Sequence, residues 1–283
     1  MARAQELNPS ELAHEYLRQK KKFPHVWCAG CGIGTIMGAV IRAIADRKLD
    51  RDRVVMVSGI GCSSRMPIYV DFNTLHTTHG RAIAFATGVK AARPELEVIV
   101  VTGDGDAAAI GGNHLIHACR RNINLTVVCI NNNIYGMTGG QASPTTPYGK
   151  FATTARYGNF ERPFDLCALT EAAGAAYVAR GTVFYARPLE KLIADAIAKK
   201  GFAFVEVISQ CPTYYGRFNE LRTPVEMLYW QRDNTVNVKA AAKLKPEERE
   251  GKILTGVLAD RDYPEFTELY DKLIAELAAK EGK

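Results

Sequence analysis

The chain has 283 residues, 47% of them hydrophobic, and a formal net charge of +6. This length suits one large α/β domain or two smaller ones, and so modest a charge gives no reason to expect a nucleic-acid partner. No apolar run approaches the roughly 20 residues that span a bilayer, and the N-terminus lacks the apolar segment of a secretion signal. We therefore expect a cytoplasmic protein without a membrane partner.

Predicted strands and helices alternate along most of the chain. Nearly continuous apolar runs, typical of parallel strands covered on both faces, predict strands at Val54–Val57, Val98–Val101, Leu125–Ile130 and Phe202–Ile208. Helical patterns lie at Gly32–Lys48, Gly80–Ala92, His114–Arg121 and Leu189–Lys199. The alternation predicts an α/β fold in which a doubly wound, mostly parallel sheet carries helices on both faces.

Two segments depart from this alternation. The first, Met137–Pro163, is a long loop rich in glycine, proline, threonine and aromatic residues. Loops of this length in compact domains are usually functional or disordered. After Pro212 the chain is polar and irregular up to a final helix at about Pro264–Lys280. We therefore expect a C-terminal arm packed on another subunit or on the domain surface, so that the chain divides into an N-terminal extension, 1–22, a central domain, 23–213, and the arm, 214–283.

Three predicted strands end in residues that suit a charged ligand: SGIGCSSR, TGDGDA and NNNIYG. In open parallel sheets, ligands bind beyond the carboxyl ends of the strands, and glycines let the backbone approach them closely. Asp104 and Asn132 lie 28 positions apart, which leaves room for one helix and one returning strand, so both reach the same sheet edge. A carboxylate and an amide oxygen, together with a phosphate, suit Mg²⁺.

A dinucleotide site of the Rossmann type is the alternative for a glycine-rich sheet edge. The segment GIGCSS offers two glycines in register but not the third, and no acidic residue stands where one would bind a ribose. The alternative also leaves the three asparagines unexplained. We therefore reject it in favour of a Mg²⁺–diphosphate site.

The seven cysteines fall into two groups. Three lie inside apolar patterns and are predicted to be small buried hydrophobic residues: Cys119, Cys129 and Cys167. The other four lie beside Gly, Ser or Pro in turn-like sequence: Cys28, Cys31, Cys62 and Cys211. Four thiolates gathered in this way can hold Zn²⁺ or a [4Fe–4S] cluster. Structural zinc usually takes two close pairs, and only one CxxC pair is present here, so the pattern favours a cluster.

The motifs together resemble one family. WCAGCGIG, GIGCSSR, THGRA, GDGDAAAIGGNHLIHACRRN, NNNIYGMTGGQASPT and QCPTYYG are similar to the β subunit of 2-oxoacid:ferredoxin oxidoreductases, most of all to the 2-oxoglutarate branch (KorB type). The resemblance spans roughly Phe23–Arg222. It implies a thiamine diphosphate-binding fold for the central domain and coenzyme A-dependent oxidative decarboxylation of 2-oxoglutarate to succinyl-CoA with ferredoxin reduction, or the reverse carboxylation.

The same resemblance implies cofactors and their ligands. Mg²⁺ would be held by Asp104, Asn132 and the carbonyl of Ile134, and a [4Fe–4S] cluster by Cys28, Cys31, Cys62 and Cys211. The residues expected to line thiamine diphosphate are Ile60, Gly61, Cys62, Ser63, His79, Gly103, Gly105, Asp106, Gly136, Met137 and Thr138. Among these, Met137 resembles the apolar prop that bends the cofactor, and His79 resembles the histidine near its reactive end; a buried structural histidine is the alternative for His79.

The resemblance also implies partners. Thiamine enzymes need a glutamate against the aminopyrimidine, and in this family a separate α subunit supplies it together with much of the coenzyme A site. We therefore expect a chain that is active only in a heterodimer with an α subunit, assembled as α₂β₂, and that passes electrons to ferredoxin.

Substrate choice is less well defined by the motifs. Arg65 is a candidate clamp for a substrate carboxylate, because guanidinium binds carboxylates bidentately; the alternative is a surface or partner-facing arginine. Relatives often have lysine where Gly139 stands, which keeps pyruvate, or a broad range of 2-oxoacids, open as substrates. A four-cysteine electron-transfer module without thiamine is the non-catalytic alternative, and it would have no use for Asp104 and Asn132.

Overall fold

The computed structural model describes residues 9–20 and 24–281. Residues 1–8 and 21–22 of the predicted N-terminal extension, and its boundary with the central domain, lie outside the described residues. Within the described part of the extension, a helix at Pro9–Glu15 is followed by a backbone bridge between Leu17 and Val70. This bridge ties the extension to the edge of the central domain.

The described strands, in chain order, are β1 (Val54–Ser58), β2 (Asn73–His76), β3 (Glu97–Gly103), β4 (Leu125–Asn131), β5 (Ile134–Tyr135), β6 (Gln141–Ala142), β7 (Tyr177–Thr182), β8 (Phe202–Ile208), β9 (Thr235–Asn237) and β10 (Ile253–Asp260). Eight of them form one sheet in the order β2-β1-β3-β4-β8-β7-β10-β9, and β5 pairs with β6 separately. The six strands β2, β1, β3, β4, β8 and β7 are parallel to one another, and β10 runs antiparallel to β7. The prediction of a mostly parallel sheet is confirmed.

The described helices, in chain order, are α1 (Pro9–Glu15), α2 (Ile33–Asp46), α3 (Ala82–Ala92), α4 (Gly112–Arg121), α5 (Leu166–Ala172), α6 (Ala186–Ala198), α7 (Pro224–Asn234), α8 (Val238–Ala241), α9 (Pro246–Arg249) and α10 (Phe266–Glu281). Helices α2 and α6 pack on one face of the sheet, and α3, α4 and α5 pack on the other. In the part of the chain that the structure describes, no helix combines the length and apolarity that a membrane crossing requires.

Burial on both faces explains why the predicted strands are continuously apolar. In β1, Met56 packs into the core under α2 and α6, whereas its neighbours Val55 and Val57 pack into the core under α3 and α4. Successive side chains of a strand point to opposite faces, so a sheet covered on both faces needs apolar residues at every position. The four predicted strands and four predicted helices are all confirmed, with bounds that shift by a few residues.

Strands β2 and β7 were not predicted, and their compositions explain why. β2 is a short edge strand with half-exposed or exposed side chains. β7 contains Arg180, which faces Glu206 of β8 in the strand register. Both side chains are buried, and Arg180 Nε donates to Glu206 Oε2 at 2.6 Å. Arg180 therefore puts a charged residue in the middle of β7, so the sequence of β7 lacks the continuous apolar pattern that predicts a buried strand.

The predicted C-terminal arm contributes to the sheet. The polar stretch after Pro212 contains α7, whose first turn is closed by a capping box between Thr223 and Glu226, and then β9 and β10. Because β10 pairs with β7 over Val257 and Ala259, residues 253–260 belong to the sheet of the central domain and are not a surface arm. The predicted final helix is confirmed as α10.

Candidate active site

The carboxyl ends of β1, β3 and β4 meet at one edge of the sheet and surround a cavity of about 150 Å³. All eleven residues expected from the resemblance to contact a cofactor line it: Ile60, Gly61, Cys62, Ser63, His79, Gly103, Gly105, Asp106, Gly136, Met137 and Thr138. The three expected magnesium ligands, Asp104, Asn132 and Ile134, line the same cavity, and so do Ile33, Ile130 and Tyr135. The structure therefore brings the expected residues together from four separate stretches of sequence.

Asp104, directly after β3, is a buried carboxylate held by hydroxyl groups. Ser143 Oγ and Thr145 Oγ1 each lie 2.6 Å from Asp104 Oδ2. In the described part of the chain no cationic side chain pairs with this carboxylate. Burial raises the pKa of Asp104 to about 6, against the lowering effect of the Ser143 and Thr145 hydrogen bonds. A buried carboxylate without a cation is costly, so this position suits a bound positive ion.

The hydroxyl pair that holds Asp104 was not predicted. Ser143 and Thr145 belong to the loop that follows β6, and a turn fixes them: Ser143 N donates to Thr146 Oγ1 at 2.8 Å, and Thr146 Oγ1 donates to the Asn133 carbonyl at 2.7 Å. The sequence signal was present as a run of hydroxyl residues in ASPTTP. Their distance from Asp104 in sequence concealed their role.

The three consecutive asparagines after β4 have different roles. Asn131 Nδ2 donates to the buried carboxylate of Glu206 at 2.7 Å, and its Oδ1 accepts the amide of Asn133 at 3.0 Å. Asn133 takes a positive φ of 59°, a conformation that asparagine tolerates better than most residues. Only Asn132 projects to the cavity, where its Oδ1 also accepts the amide of Ile134 at 3.3 Å. The turn thus places Asn132 and Ile134 on the same cavity as Asp104.

Asp106, the second acid of GDGD, connects three loops. Its Oδ1 accepts from His79 Nδ1 at 2.6 Å, from the Gly80 amide at 2.7 Å and from the Ile60 amide at 3.3 Å. Its Oδ2 accepts from Thr102 Oγ1 at 2.7 Å. The carboxylate is therefore used internally and holds the His79 ring against the cavity wall. This positioning role was not expected from the sequence, which assigned Asp106 to the cofactor.

Two glycines of the site are required by close packing. A Cβ on Gly59 would collide with the Asp106 carboxylate, and a Cβ on Gly105 would collide with the Tyr135 ring. Tyr135 in turn donates its hydroxyl to the Gly105 carbonyl at 3.2 Å. The loops after β1 and β3 can therefore lie this close to their neighbours only with glycine at these positions.

The four turn-like cysteines lie beside the cavity. Cys28 is exposed, Cys31 and Cys62 are half-buried, and Cys211 is buried directly after β8. A Cβ on Gly136 would lie 3.4 Å from Cys62 Sγ and 3.7 Å from Cys211 Sγ. Cys62 lines the cavity itself, and its thiol and that of Cys211 both lie close to Gly136, another lining residue.

The four thiols are close enough to influence one another electrostatically. Burial, with a smaller effect of the other three thiols, raises the pKa of Cys31 to about 12. Burial likewise raises the pKa of Cys62 to about 11, and Arg65 acts in the opposite direction. The thiols are nevertheless not tightly clustered: in the described residues, the one group of three potential ligand atoms within 4.8 Å of one another is Asp165, Cys167 and Glu206. The site is a spacious thiol-lined recess.

Arg65, the candidate carboxylate clamp, lies beside Cys62 and is not among the residues that line the cavity. Its side chain is half-buried, and within residues 9–20 and 24–281 no ion pair or side-chain hydrogen bond involves it. Its role in substrate binding stays a prediction. Gly139 has a φ of +117°, a backbone conformation in which a lysine would be strained.

Cys119, Cys129 and Cys167 are buried, as predicted for packing residues. Cys119 and Cys129 are both fully enclosed in the core under α3 and α4. Cys167 donates its thiol to Glu206 Oε2 at 3.2 Å. None of the three lies in the thiol-lined recess beside the cavity, so the division of the cysteines into two groups agrees with the structure.

Residues 59–207 match the family described as thiamine pyrophosphate enzyme, C-terminal TPP binding domain. The 2-oxoglutarate synthase subunit KorB of Methanocaldococcus jannaschii is 55% identical over 268 residues, which cover 95% of this chain and 99% of that protein. The subunit of the same name from Methanothermobacter marburgensis is 54% identical over 269 residues, covering 95% and 93% of the two chains.

A solved structure is similar over the same extent. A chain of the 2-oxoglutarate:ferredoxin oxidoreductase from Magnetococcus marinus, determined with 2-oxoglutarate, coenzyme A and succinyl-CoA bound, superposes with a TM-score of 0.84. It is 36% identical, and the match covers 98% of this chain and 93% of that chain. The likeness therefore includes the strands β9 and β10 that follow the central domain.

Proposed function

The chain belongs to the thiamine pyrophosphate enzymes and, among them, to the KorB subunits of 2-oxoglutarate synthase, and on this premise we propose how its own residues serve that enzyme. It is the β subunit of a 2-oxoglutarate:ferredoxin oxidoreductase, which converts 2-oxoglutarate and coenzyme A to succinyl-CoA and CO₂ with reduction of ferredoxin, or carries out the reverse reaction. Its part is to hold the diphosphate end of thiamine diphosphate, Mg²⁺ and a [4Fe–4S] cluster.

One observation carries the magnesium assignment: a fully enclosed carboxylate whose described partners are all neutral. Asp104 accepts the Ser143 and Thr145 hydroxyls and backbone amides, all of them neutral donors, and Asn132 and Ile134 line the same cavity. Three oxygen ligands of this kind suit Mg²⁺, which keeps few carboxylates and completes its shell with phosphate and water. We assign Asp104, Asn132 and the Ile134 carbonyl as its protein ligands.

Small residues in the wall of the cavity suit a diphosphate. Gly61, Ser63, Gly103 and Gly105 line the cavity, and Ser63 is the first residue of the short helix Ser63–Ile68. Space next to Gly61 is open, with no atom within 4 Å of a Cβ placed there. Glycines of this kind allow phosphate oxygens to approach backbone amides. With Mg²⁺ on Asp104, the diphosphate would bridge the metal and this wall.

Thiamine diphosphate supplies the chemistry that removes CO₂ from a 2-oxoacid, and an iron–sulfur cluster accepts the resulting electrons one at a time. The protein's part is to position the reacting groups and to exclude water from them. His79 lines the cavity with its Nδ1 held by Asp106, which leaves Nε2 as the ring nitrogen available to a ligand. Met137, half in contact with solvent at the rim, is placed to support a bent cofactor.

The thiol-lined recess suits a cluster better than zinc. Tetrahedral zinc with Zn–S bonds of ~2.3 Å draws its sulfurs to within ~3.8 Å of one another, whereas no three of the four thiols lie within 4.8 Å in the described structure. A [4Fe–4S] cluster holds its four thiolates at its corners and does not require them to lie so close together. We therefore propose Cys28, Cys31, Cys62 and Cys211 as its ligands, with Cys62 and Cys211 next to Gly136 of the cofactor cavity.

The cavity is incomplete without another subunit. No glutamate lines it in the described part of the chain, and a glutamate is what thiamine enzymes use to activate the aminopyrimidine. The relatives are named as subunits. We propose an α subunit that supplies this glutamate and much of the coenzyme A site, in an α₂β₂ assembly that reduces ferredoxin.

We assign substrate recognition to Arg65, with a contribution from the α subunit. Gly139 cannot take the place of the family lysine, and its backbone conformation disfavours one. Arg65 is the cationic side chain near Cys62 that has no described acidic partner, so we propose that it meets the distal carboxylate of 2-oxoglutarate. Pyruvate, which has no such carboxylate, is the competing substrate.

Anaerobic co-expression with the α subunit tests these assignments together. The purified complex is expected to contain thiamine diphosphate, Mg²⁺ and four irons for each copy of this chain, and to turn over 2-oxoglutarate in preference to pyruvate. A complex that contains zinc and no iron would overturn the cluster assignment. A complex that contains the cluster but never retains thiamine diphosphate would instead leave the chain as an electron-transfer module.

A further inference from the structure

The long loop after the cavity presents an aromatic surface. We call residues 147–164 the aromatic loop; it carries five aromatic side chains that are all exposed, Tyr148, Phe151, Tyr157, Phe160 and Phe164. Tyr157 is completely exposed, and Phe160 and Tyr148 are 83% and 73% exposed. Single exposed apolar residues are ordinary, but five exposed aromatic side chains on one loop indicate an interaction site.

The backbone of the aromatic loop is fixed by hydrogen bonds, so these rings cannot fold back onto the domain. The Asn219 side chain makes two hydrogen bonds to the backbone of Phe151. Its Oδ1 accepts the Phe151 amide at 2.9 Å, and its Nδ2 donates to the Phe151 carbonyl at 3.1 Å. The backbone of Asn159 pairs with the start of the loop. Its backbone amide donates to the Lys150 carbonyl, and its backbone carbonyl accepts the Gly149 amide, both at 2.7 Å. A surface that is already ordered costs less entropy on binding, as expected for a docking face.

The aromatic loop is continuous with the active-site cavity. The residues immediately before it include Met137 and Thr138, which line the cavity, and Ser143 and Thr145, which hold Asp104. A partner that completes this cavity must therefore approach the edge of the sheet next to the loop.

The charges of the aromatic loop indicate the chemistry of its partner. Lys150, Arg156 and Arg162 are exposed and form no ion pair in the described structure, and Glu161 is the one exposed acid among them. In a symmetric contact between two copies, the same patch meets itself, which would bring these cations together at a cost. A different chain, with an apolar pocket and an acidic rim, fits this surface better than a second copy.

We propose that the aromatic loop is the docking surface on which the α subunit, the one that completes the thiamine site, binds this chain. The proposal rests on the proposed function for the identity of that partner. Tyr157 and Phe160 are the anchors that insert into apolar pockets of the partner, and Lys150, Arg156 and Arg162 pair with acids around those pockets. The same contact holds the loop, and through Ser143 and Thr145 it stabilises Asp104 in place.

The test is an affinity measurement on the full chain with its α subunit. Tyr157→Ala and Phe160→Ala remove fully or largely exposed rings, so the fold should be unchanged by circular dichroism and thermal unfolding. Each is expected to raise the Kd of the complex about 30-fold or more, the effect of losing an aromatic anchor. Tyr270→Ala, an exposed aromatic on α10, is the matched control and should change the Kd less than about 3-fold.

A charge reversal provides a second, independent test of the proposal. Arg156→Glu should lower the association rate and weaken the salt dependence that the wild-type complex shows, since surface charges steer encounter. Wild-type affinity for both loop variants, or a larger loss for Tyr270→Ala, would overturn the proposal. Loop variants that weaken self-association of the isolated chain, with the heteromeric Kd unchanged, would also overturn it, in favour of a contact between copies.

Assembly is measured by mass and by Kd, and cofactor content is measured separately on the wild-type complex. Absence of thiamine diphosphate from a correctly assembled wild-type complex would contradict the proposed function and leave the docking result standing. The two failures are therefore distinguishable.

Discussion

His79 Nδ1 lies 2.6 Å from Asp106 Oδ1, and that carboxylate also accepts the Gly80 and Ile60 amides and the Thr102 hydroxyl. Asp106 Oδ1 already accepts the hydrogens of two backbone amides, so we assign the hydrogen between the two residues to His79 Nδ1. In the neutral ring this assignment leaves Nε2 without a hydrogen. The pair holds the His79 ring at the wall of the cavity.

The first prediction follows from this pair. His79→Ala should lower kcat by about 10²-fold or more, as expected on losing a positioned acid–base group, without loss of bound thiamine diphosphate or Mg²⁺. Asp106→Asn keeps an oxygen for the Gly80 and Ile60 amides and should lower kcat less. Loss of cofactor from the His79→Ala protein would show that His79 is a structural residue of the cavity instead.

The second prediction concerns cofactor retention. Asp104→Asn removes the negative charge that balances Mg²⁺ and keeps the shape of the side chain, so the purified complex should lack both Mg²⁺ and thiamine diphosphate while its unfolding temperature without cofactor is maintained. Cofactor content is read by metal analysis and by thiochrome fluorescence. Content near that of the wild-type complex would contradict the assignment of Asp104 as a metal ligand.

The third prediction is a pH dependence of the metal-free chain. Burial raises the pKa of Asp104 from 3.8 to about 6, so between these values the native state keeps a proton that the unfolded state has lost. The free energy of unfolding should therefore fall as the pH rises from about 4 to about 6, by roughly 3 kcal/mol in total from this residue.

Urea unfolding in a metal chelator across this range measures that slope. Asp104→Asn provides the reference, because only the difference between the two proteins reports on Asp104. Saturating Mg²⁺ with thiamine diphosphate should abolish the difference in slope, since a metal ligand stays ionised. Identical pH profiles for the two metal-free proteins would contradict the prediction.

The fourth prediction separates the two groups of cysteines. Cys62→Ser and Cys211→Ser should each remove or weaken the iron–sulfur absorption and the electron paramagnetic resonance signal and stop ferredoxin reduction. Cys119→Ser, in the core under α4, should keep both signals and cost only stability. Intact signals in both Cys62→Ser and Cys211→Ser would contradict the ligand assignment.

The fifth prediction concerns substrate choice. Arg65→Ala should lower kcat/KM for 2-oxoglutarate by about 10- to 150-fold, which corresponds to the roughly 1.5–3 kcal/mol of a hydrogen bond to a charged group, and should barely change the value for pyruvate. Equal losses for both substrates would place Arg65 on the cofactor or at the subunit contact, and no loss would make it a surface arginine.

The sequence was most informative about features that depend only on residues close together in the chain. The apolar strands, the glycines at their ends and the spacing of Asp104 and Asn132 led to the correct sheet and to a set of residues that line one cavity. What it did not show were partners distant in sequence. The Ser143 and Thr145 hydroxyls reach Asp104 across about 40 residues, and the charge of Arg180 is balanced by Glu206 on the next strand and by Asp165, so neither relationship has a periodic signal.

Strand β7 consists of six buried residues, and β10, which covers one of its edges, comes from the end of the chain. On the ribosome, β7 and β8 therefore emerge long before residues 253–260 are made. During that interval the open edge of β7 has free backbone groups that another nascent chain can pair with. Correct folding thus finishes late in translation, and a transcript truncated before β10 would yield a chain prone to aggregation even with every active-site residue present.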